Sequence, residues 1–165
     1  ISKYPRGKFS DKAVARINEL KILNMQKGYA EALNQNSSYI WKKFLEKYPN
    51  HIEAASIRKK IIRLEVDEIL GDRETGQIPS FNQFNSQYSS NSSVAITNNT
   101  GCELTVRYSG PDAEIIAIPS GGTRTVYLTS GIYKIAASAC GANYAGTEDL
   151  HGEYGSKFYI TTSRY

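Results

Sequence analysis

ELTVRYSG, residues 103–110, sets Leu104, Val106 and Tyr108 on one side of an extended chain and Thr105 and Arg107 on the other. That is the period-two rhythm of a half-buried strand. The rhythm continues around it. VAIT starts at Val94 and runs into the turn Asn98-Asn99-Thr100-Gly101. EIIAIP follows the turn Gly110-Pro111-Asp112, TRTVYLTSG follows Gly121-Gly122, IYKIAASA follows Gly131, and SKFYITT comes near the end. Strand-like runs at roughly ten-residue spacing, separated by Gly, Pro and Asn, predict a small antiparallel β-sandwich over residues 93–165.

Upstream the period changes to that of helices. A first helix opens at Ser10, with Asp11 next, and carries Val14, Ile17, Leu20, Ile22, Leu23, Met25, Tyr29 and Leu33 as a broad apolar stripe. A second, SYIWKKFLEKY, groups Ile40, Trp41, Phe44, Leu45 and Tyr48 and stops at Pro49. The third is expected to start at Asn50 as N-cap, with Glu53 three residues on. Its stripe is Ile52, Ala55, Ile57, Ile61, Leu64 and Ile69, with Glu65 at an exposed edge, and it ends at Gly71. The short break before it implies an antiparallel helical hairpin. Residues 76–92, rich in Ser, Asn and Gln, read as a polar linker whose aromatics Phe81, Phe84 and Tyr88 dock on a neighbouring surface. The fold class is therefore α+β: helical segment 1–75, linker 76–92, β domain 93–165.

The formal charge of +4 is uneven, with net +5 over residues 1–75 and net −1 over residues 76–165. Basic residues in the first part alternate with acids along helices, the pattern of a solvated face, so a basic helical nucleic-acid-binding module is the less favoured reading. No run approaches the ~18 apolar residues of a membrane span. The chain does not open on Met or on a basic-then-apolar leader, so any targeting signal is expected to have been removed or to lie outside this sequence.

FLEKYPNHIEAASIRKKIIRLE, residues 44–65, resembles one helical hairpin of tetratricopeptide-like proteins, with a Tyr-Pro turn before an Ala-rich helix. Similar segments recur in secreted or envelope proteins of Gram-negative bacteria. One unit is too short for a solenoid, which needs about three repeats. LTSGIYKIAAS, residues 128–138, is similar to the strand–turn–strand hairpins of extracytoplasmic β-sandwich modules, which act as stalks, spacers or binding units. Both resemblances imply a place outside the cytoplasm. Cys102 and Cys140 are either a disulfide or two buried thiols, and an even pair in one small secreted domain favours the bridge. Closing that loop stabilises by roughly 4 kcal/mol in the chain-entropy picture.

Few residues suggest chemistry. Glu148, Asp149, His151 and Glu153 share the polar stretch TEDLHGEYG, which could hold a divalent cation in an oxygen-rich loop or, less readily, supply Glu148 and Glu153 as a hydrolase pair. An exposed polar turn looks the same. His51 stands in the first turn of a helix, and with two histidines far apart there is no zinc set. No phosphate-cradling or dinucleotide-binding glycine motif occurs, nor a nucleophile elbow. Cofactors are therefore expected to be none. Tyrosine, with twelve residues, is the more informative type. Tyr gives rigid amphipathic contact area. Tyr127, Tyr144 and Tyr154 are the candidate ligand-facing aromatics, whereas Tyr133 alternates with Ile135 and Ala137 on a core face. Asn36, Asn91 and Asn98 each begin an N-x-[ST] triplet. Together these features predict a non-enzymatic extracytoplasmic protein, its β domain a binding or structural module for a protein or glycan and its helices a spacer or docking segment. A metal-dependent or hydrolase-like enzyme is the alternative.

Overall fold

The computed structural model describes residues 10–85 and 89–159. Three helices, α1 (Ser10–Gln35), α2 (Ser38–Lys47) and α3 (Ala54–Gly71), precede nine strands. The chain divides into two compact units, Ile1–Ile57 and Arg58–Tyr165. The division falls inside α3 rather than at residue 75.

In the first unit, α1 ends at Asn36, which takes up a left-handed conformation and donates its N–H to Ala32 C=O at 3.0 Å. Ser37 then caps α2, its hydroxyl accepting from the Ile40 N–H at 3.3 Å. Trp41 and Phe44 on α2 meet Tyr29 of α1 edge-on, and the His51 ring stacks on Tyr29 at 5.2 Å. The expected cap at Asn50 is replaced. His51 Nδ1 accepts the Glu53 N–H at 3.2 Å, and regular α3 begins at Ala54. A ring nitrogen held by this aromatic cluster does the capping that the sequence pattern gave to Asn50.

The second unit is a β-sandwich of two mixed sheets. Strands are β1 (Gly76–Gln77), β2 (Asn82–Asn85), β3 (Asn91–Asn98), β4 (Leu104–Ser109), β5 (Ala113–Ile118), β6 (Thr123–Thr129), β7 (Gly131–Ala139), β8 (Ala142–Leu150) and β9 (Glu153–Phe158). The five-stranded sheet has the order β1-β8-β7-β4-β5 and the four-stranded sheet β2-β9-β3-β6. Alternate residues of each long strand enter a common core: Val94 and Ile96, Leu104, Val106 and Tyr108, Val126 and Leu128, Tyr133 and Ile135. Most neighbours run antiparallel, but β3 pairs with β9, and β1 with β8, in parallel.

Two expectations change here. LTSGIYKIAAS is not a hairpin, because β6 belongs to the four-stranded sheet and β7 to the five-stranded one, so Ser130 is a corner between sheets. A hairpin and a corner bury the same alternate residues, so periodicity does not separate them. Hydrogen bonds fix the corner. Tyr133 Oη donates to Thr129 C=O and accepts the Asp112 N–H, while the Asp112 carboxylate accepts the Thr129 N–H at 2.8 Å. These bonds hold Asp112 below the usual carboxylate range.

The stretch 76–92 is not a linker. It gives β1 to one sheet and β2 to the other, and Ile78 and Phe81 pack against the core. Two glycines admit it: a Cβ on Gly146 would lie 2.6 Å from Ile78, and one on Gly155 would lie 2.5 Å from the Phe84 ring. Strands of two and four residues are too short to show a period. Tyr88 lies outside the described residues.

Cys102 and Cys140 form a disulfide with Cα atoms 5.5 Å apart, joining the β3–β4 loop to the β7–β8 turn. Asn98 is fully buried, its amide donating to Cys102 and Ile118 carbonyls, so its triplet serves the loop and offers no exposed acceptor. Among the described residues, no helix is long and apolar enough to cross a membrane.

Candidate functional site

The two sheets present very different outer faces. That of the five-stranded sheet is covered by α3: Val66 packs with Ala136 and Ala145, and Ile69 joins them. Glu65, expected at an exposed edge, is buried and pairs with Arg107 Nε at 2.8 Å, while Arg107 also donates to Ser138. Arg107 sits on the outward side of β4 by the alternation that buries Val106 and Tyr108, which brings its guanidinium under the helix.

The outer face of the four-stranded sheet carries no helix among the described residues. Its residues follow from the register. Tyr127, Ser93 and Glu153 form one row across the strands; Thr125, Ala95 and Gly155 form the next; Thr123, Thr97 and Lys157 form a third. Leu, Ile and Val are absent from these rows, because Val94, Ile96, Val126 and Leu128 alternate inward. Thr97 and Thr123 hydroxyls bond across the strands at 3.0 Å. Three aromatics rise from this small-residue floor. Tyr127 is 77% exposed, Phe84 is 72% exposed with its ring across Gly155, and Tyr159 is 64% exposed.

Two clefts open on this side. One, of about 490 Å³, is lined by Tyr127, Ser93, Asn91, Glu153 and Asn85 among others. The second, of about 650 Å³, runs over Ala95, Thr97 and Gly155 between Phe84, Lys157 and Tyr159. The polar groups of both are mainly hydroxyls and amides, with one carboxylate and one ammonium.

A family model described as Domain of unknown function (DUF6759) matches residues 56–161. The chain belongs to that family. The DUF6759 match begins within α3 and takes in every strand, so it groups the covering helix with the sandwich, much as the second compact unit does. A comparison with curated proteins gave no match.

Within this DUF6759 domain the sequence-derived candidates part company. Tyr127 stands on the open face. Tyr144 does not: it packs against the core and under Gly76, facing the gap between the sheets. Tyr154 is buried, and its hydroxyl accepts the His151 N–H at 3.0 Å and lies within bonding distance of Asp149 C=O, so it is a structural pin and not a ligand-facing ring. Both fall on inward positions of strands; TEDLHGEYG, which holds Tyr154, reads in the sequence as a polar turn.

The polar stretch TEDLHGEYG is likewise the end of β8 and the start of β9, on different sheets. Glu148 lies beside core residue Tyr133 in register and faces inward, where desolvation raises its pKa. Glu153 faces outward in the Ser93 row. The two carboxyls therefore do not flank one cleft. His151 Nε2 reaches Asp149 Oδ1 at 2.8 Å, and no group of three or more His, Cys, Asp or Glu side chains suited to a metal occurs among the described residues. Phe84, Ser93, Thr97 and Lys157 are not among the site residues the sequence singles out. For Ser93 and Thr97 the signal is present in NSSVAITN, where the alternate positions outside the core are small and mostly hydroxylated; Phe84 and Lys157 carry no such signal.

Proposed function

We propose that this protein is a non-enzymatic, extracytoplasmic binding module that engages its partner through the open face of the four-stranded sheet. One observation carries the reading: Tyr127 and Phe84 expose large aromatic surface above a floor of small, hydrogen-bonding residues, whereas the middle of the sister sheet's outer face is packed under a helix. Aromatic rings that give up water only on binding, with polar groups around them, are what recognition surfaces use. The Cys102–Cys140 bridge supports an oxidising compartment. The tetratricopeptide-like likeness of residues 44–65 to envelope proteins supports a spacer or docking role for the helices.

The test is a thermal-shift screen of the full chain, without reductant, against soluble oligosaccharides, peptides and divalent chlorides. A ligand that binds only the folded state stabilises it by about 2.7 kcal/mol at 100 times its dissociation constant. The expected result is a dose-dependent shift that Tyr127→Ala moves to roughly tenfold higher ligand concentration. A shift whose dose dependence is unchanged in both Tyr127→Ala and Phe84→Ala, or a turnover that depends on one side chain, would overturn the reading.

A further inference from the structure

Resting on that reading of the face, we infer that its ligand is an uncharged, hydroxyl-rich oligosaccharide lying obliquely across β6, β3 and β9. Three features specify this chemistry. The floor between the rings consists of Ser93, Ala95, Thr97, Thr125 and Gly155, side chains that are short and mostly hydroxylated. Such a floor offers hydrogen bonds to hydroxyl groups, and the apolar side chains beside it, Ile78, Pro79, Phe84 and Tyr159, line an open cleft and not the closed pocket that takes the Leu, Phe or Trp anchor of a protein partner.

Charge is the second feature. Glu153 and Lys157 lie two residues either side of Gly155 on one strand and oppose each other in sign. A polyanion would be matched by a cluster of Arg and Lys, and a basic segment by a cluster of carboxylates. This face has neither, so it complements a neutral ligand.

Third, the rings are spaced for a chain rather than for a single sugar. Tyr127 and Gly155, over which Phe84 lies, are two strands and two residues apart. At ordinary strand spacing and rise that is roughly 12 Å. Linked pyranose rings can lay their C–H faces on both π-surfaces while the hydroxyl edges meet Ser93 and Thr97.

The experiment titrates the full-length ¹⁵N-labelled chain with cellohexaose, maltohexaose, laminarihexaose and chitohexaose, following backbone amides. At least one is expected to move the Ser93, Ala95, Thr97 and Gly155 signals and to leave Ala136 and Ala145, beneath α3, in place. Tyr127→Ala and Phe84→Ala are each expected to weaken binding by roughly tenfold. Raising salt to 0.5 M should change affinity by less than about twofold, as no ion pairs are formed. Phe84→Tyr should bind, and all variants should keep the wild-type amide pattern away from the substitution.

Failure has distinct signs. If these four sugars are silent at millimolar concentration while heparin or a charged peptide moves the same amides in a salt-sensitive way, the oligosaccharide assignment falls and the binding face stands. If every probe is silent, or the responding amides lie on another surface, both fall.

Discussion

The two outer faces of the sandwich are built with the same alternation, yet the middle of one is packed under a helix and the other carries none among the described residues. Beneath the helix the outward residues are Ala136 and Ala145, small enough to admit Val66, with Arg107 reaching up to Glu65, while Ile115 and Ile132 elsewhere on that face stay exposed. On the open side they are Ser, Thr, Ala and Gly beneath exposed aromatic rings. Small residues occur on both. What differs is the group above them: an apolar stripe and a buried ion pair on one side, free π-surface on the other. A face of small residues thus differs by what lies above it, which explains why strand pattern by itself does not separate a packed face from an open one.

The sharpest way to break this contrast is Arg107→Ala. Removing one partner of a buried pair leaves the other charge desolvated, and a loss of about 3–5 kcal/mol in chemical denaturation is expected. Simultaneous loss of both charges as Arg107→Met with Glu65→Leu should recover most of it. If the single substitution proved neutral, the helix would not be locked to the sheet as described.

A smaller effect is expected at the corner where the chain passes between the sheets. Asp112→Asn weakens an acceptor for the Thr129 N–H and should destabilise by about 1 kcal/mol at neutral pH. Because the folded-state pKa of Asp112 is lowered, its contribution is complete above the unfolded carboxylate value and disappears as pH falls through the lowered one. The gap between wild type and Asp112→Asn in thermal melts should therefore close on acidification. Glu148 has the opposite sign. Its raised pKa favours the neutral acid in the fold, so Glu148→Gln should stabilise slightly at pH 7 and make no difference well below the unfolded glutamate pKa. The smallest change in stability, within about 0.5 kcal/mol, is expected for Tyr127→Ala, since its ring already meets solvent in the folded state. A larger loss would mean that the ring packs against the protein rather than awaiting a partner.

Much of this architecture is legible in the sequence. The α+β class, the disulfide and the inward positions of ELTVRYSG and IYKIAASA follow from alternation, turn residues and cysteine count. The sheet to which each strand belongs does not, because β6 and β7 bury the same alternate residues whether they pair or part. Glu65 reads as exposed because a carboxylate on a helix usually is, and its partner lies 42 residues away. Tyr127 is legible as an outward ring from Val126 and Leu128 beside it. Its companion Phe84 is not, since a four-residue strand in a Ser/Asn-rich context carries too little periodicity to fix a direction.

The segment that enters both sheets has a mechanical consequence. β2 runs antiparallel to β9, with Asn82 opposite Gly155 and Asn85 opposite Glu153. A pull between the preceding helices and the far end of β9 would load these hydrogen bonds from one end, so they would part in sequence, as a zipper does, instead of resisting together. β3, parallel to β9 over six residue pairs, would then be loaded in shear and would hold. Tension on this chain would thus lift Phe84 away from Gly155 before the sandwich itself gave way, so that binding through the proposed face would weaken under force.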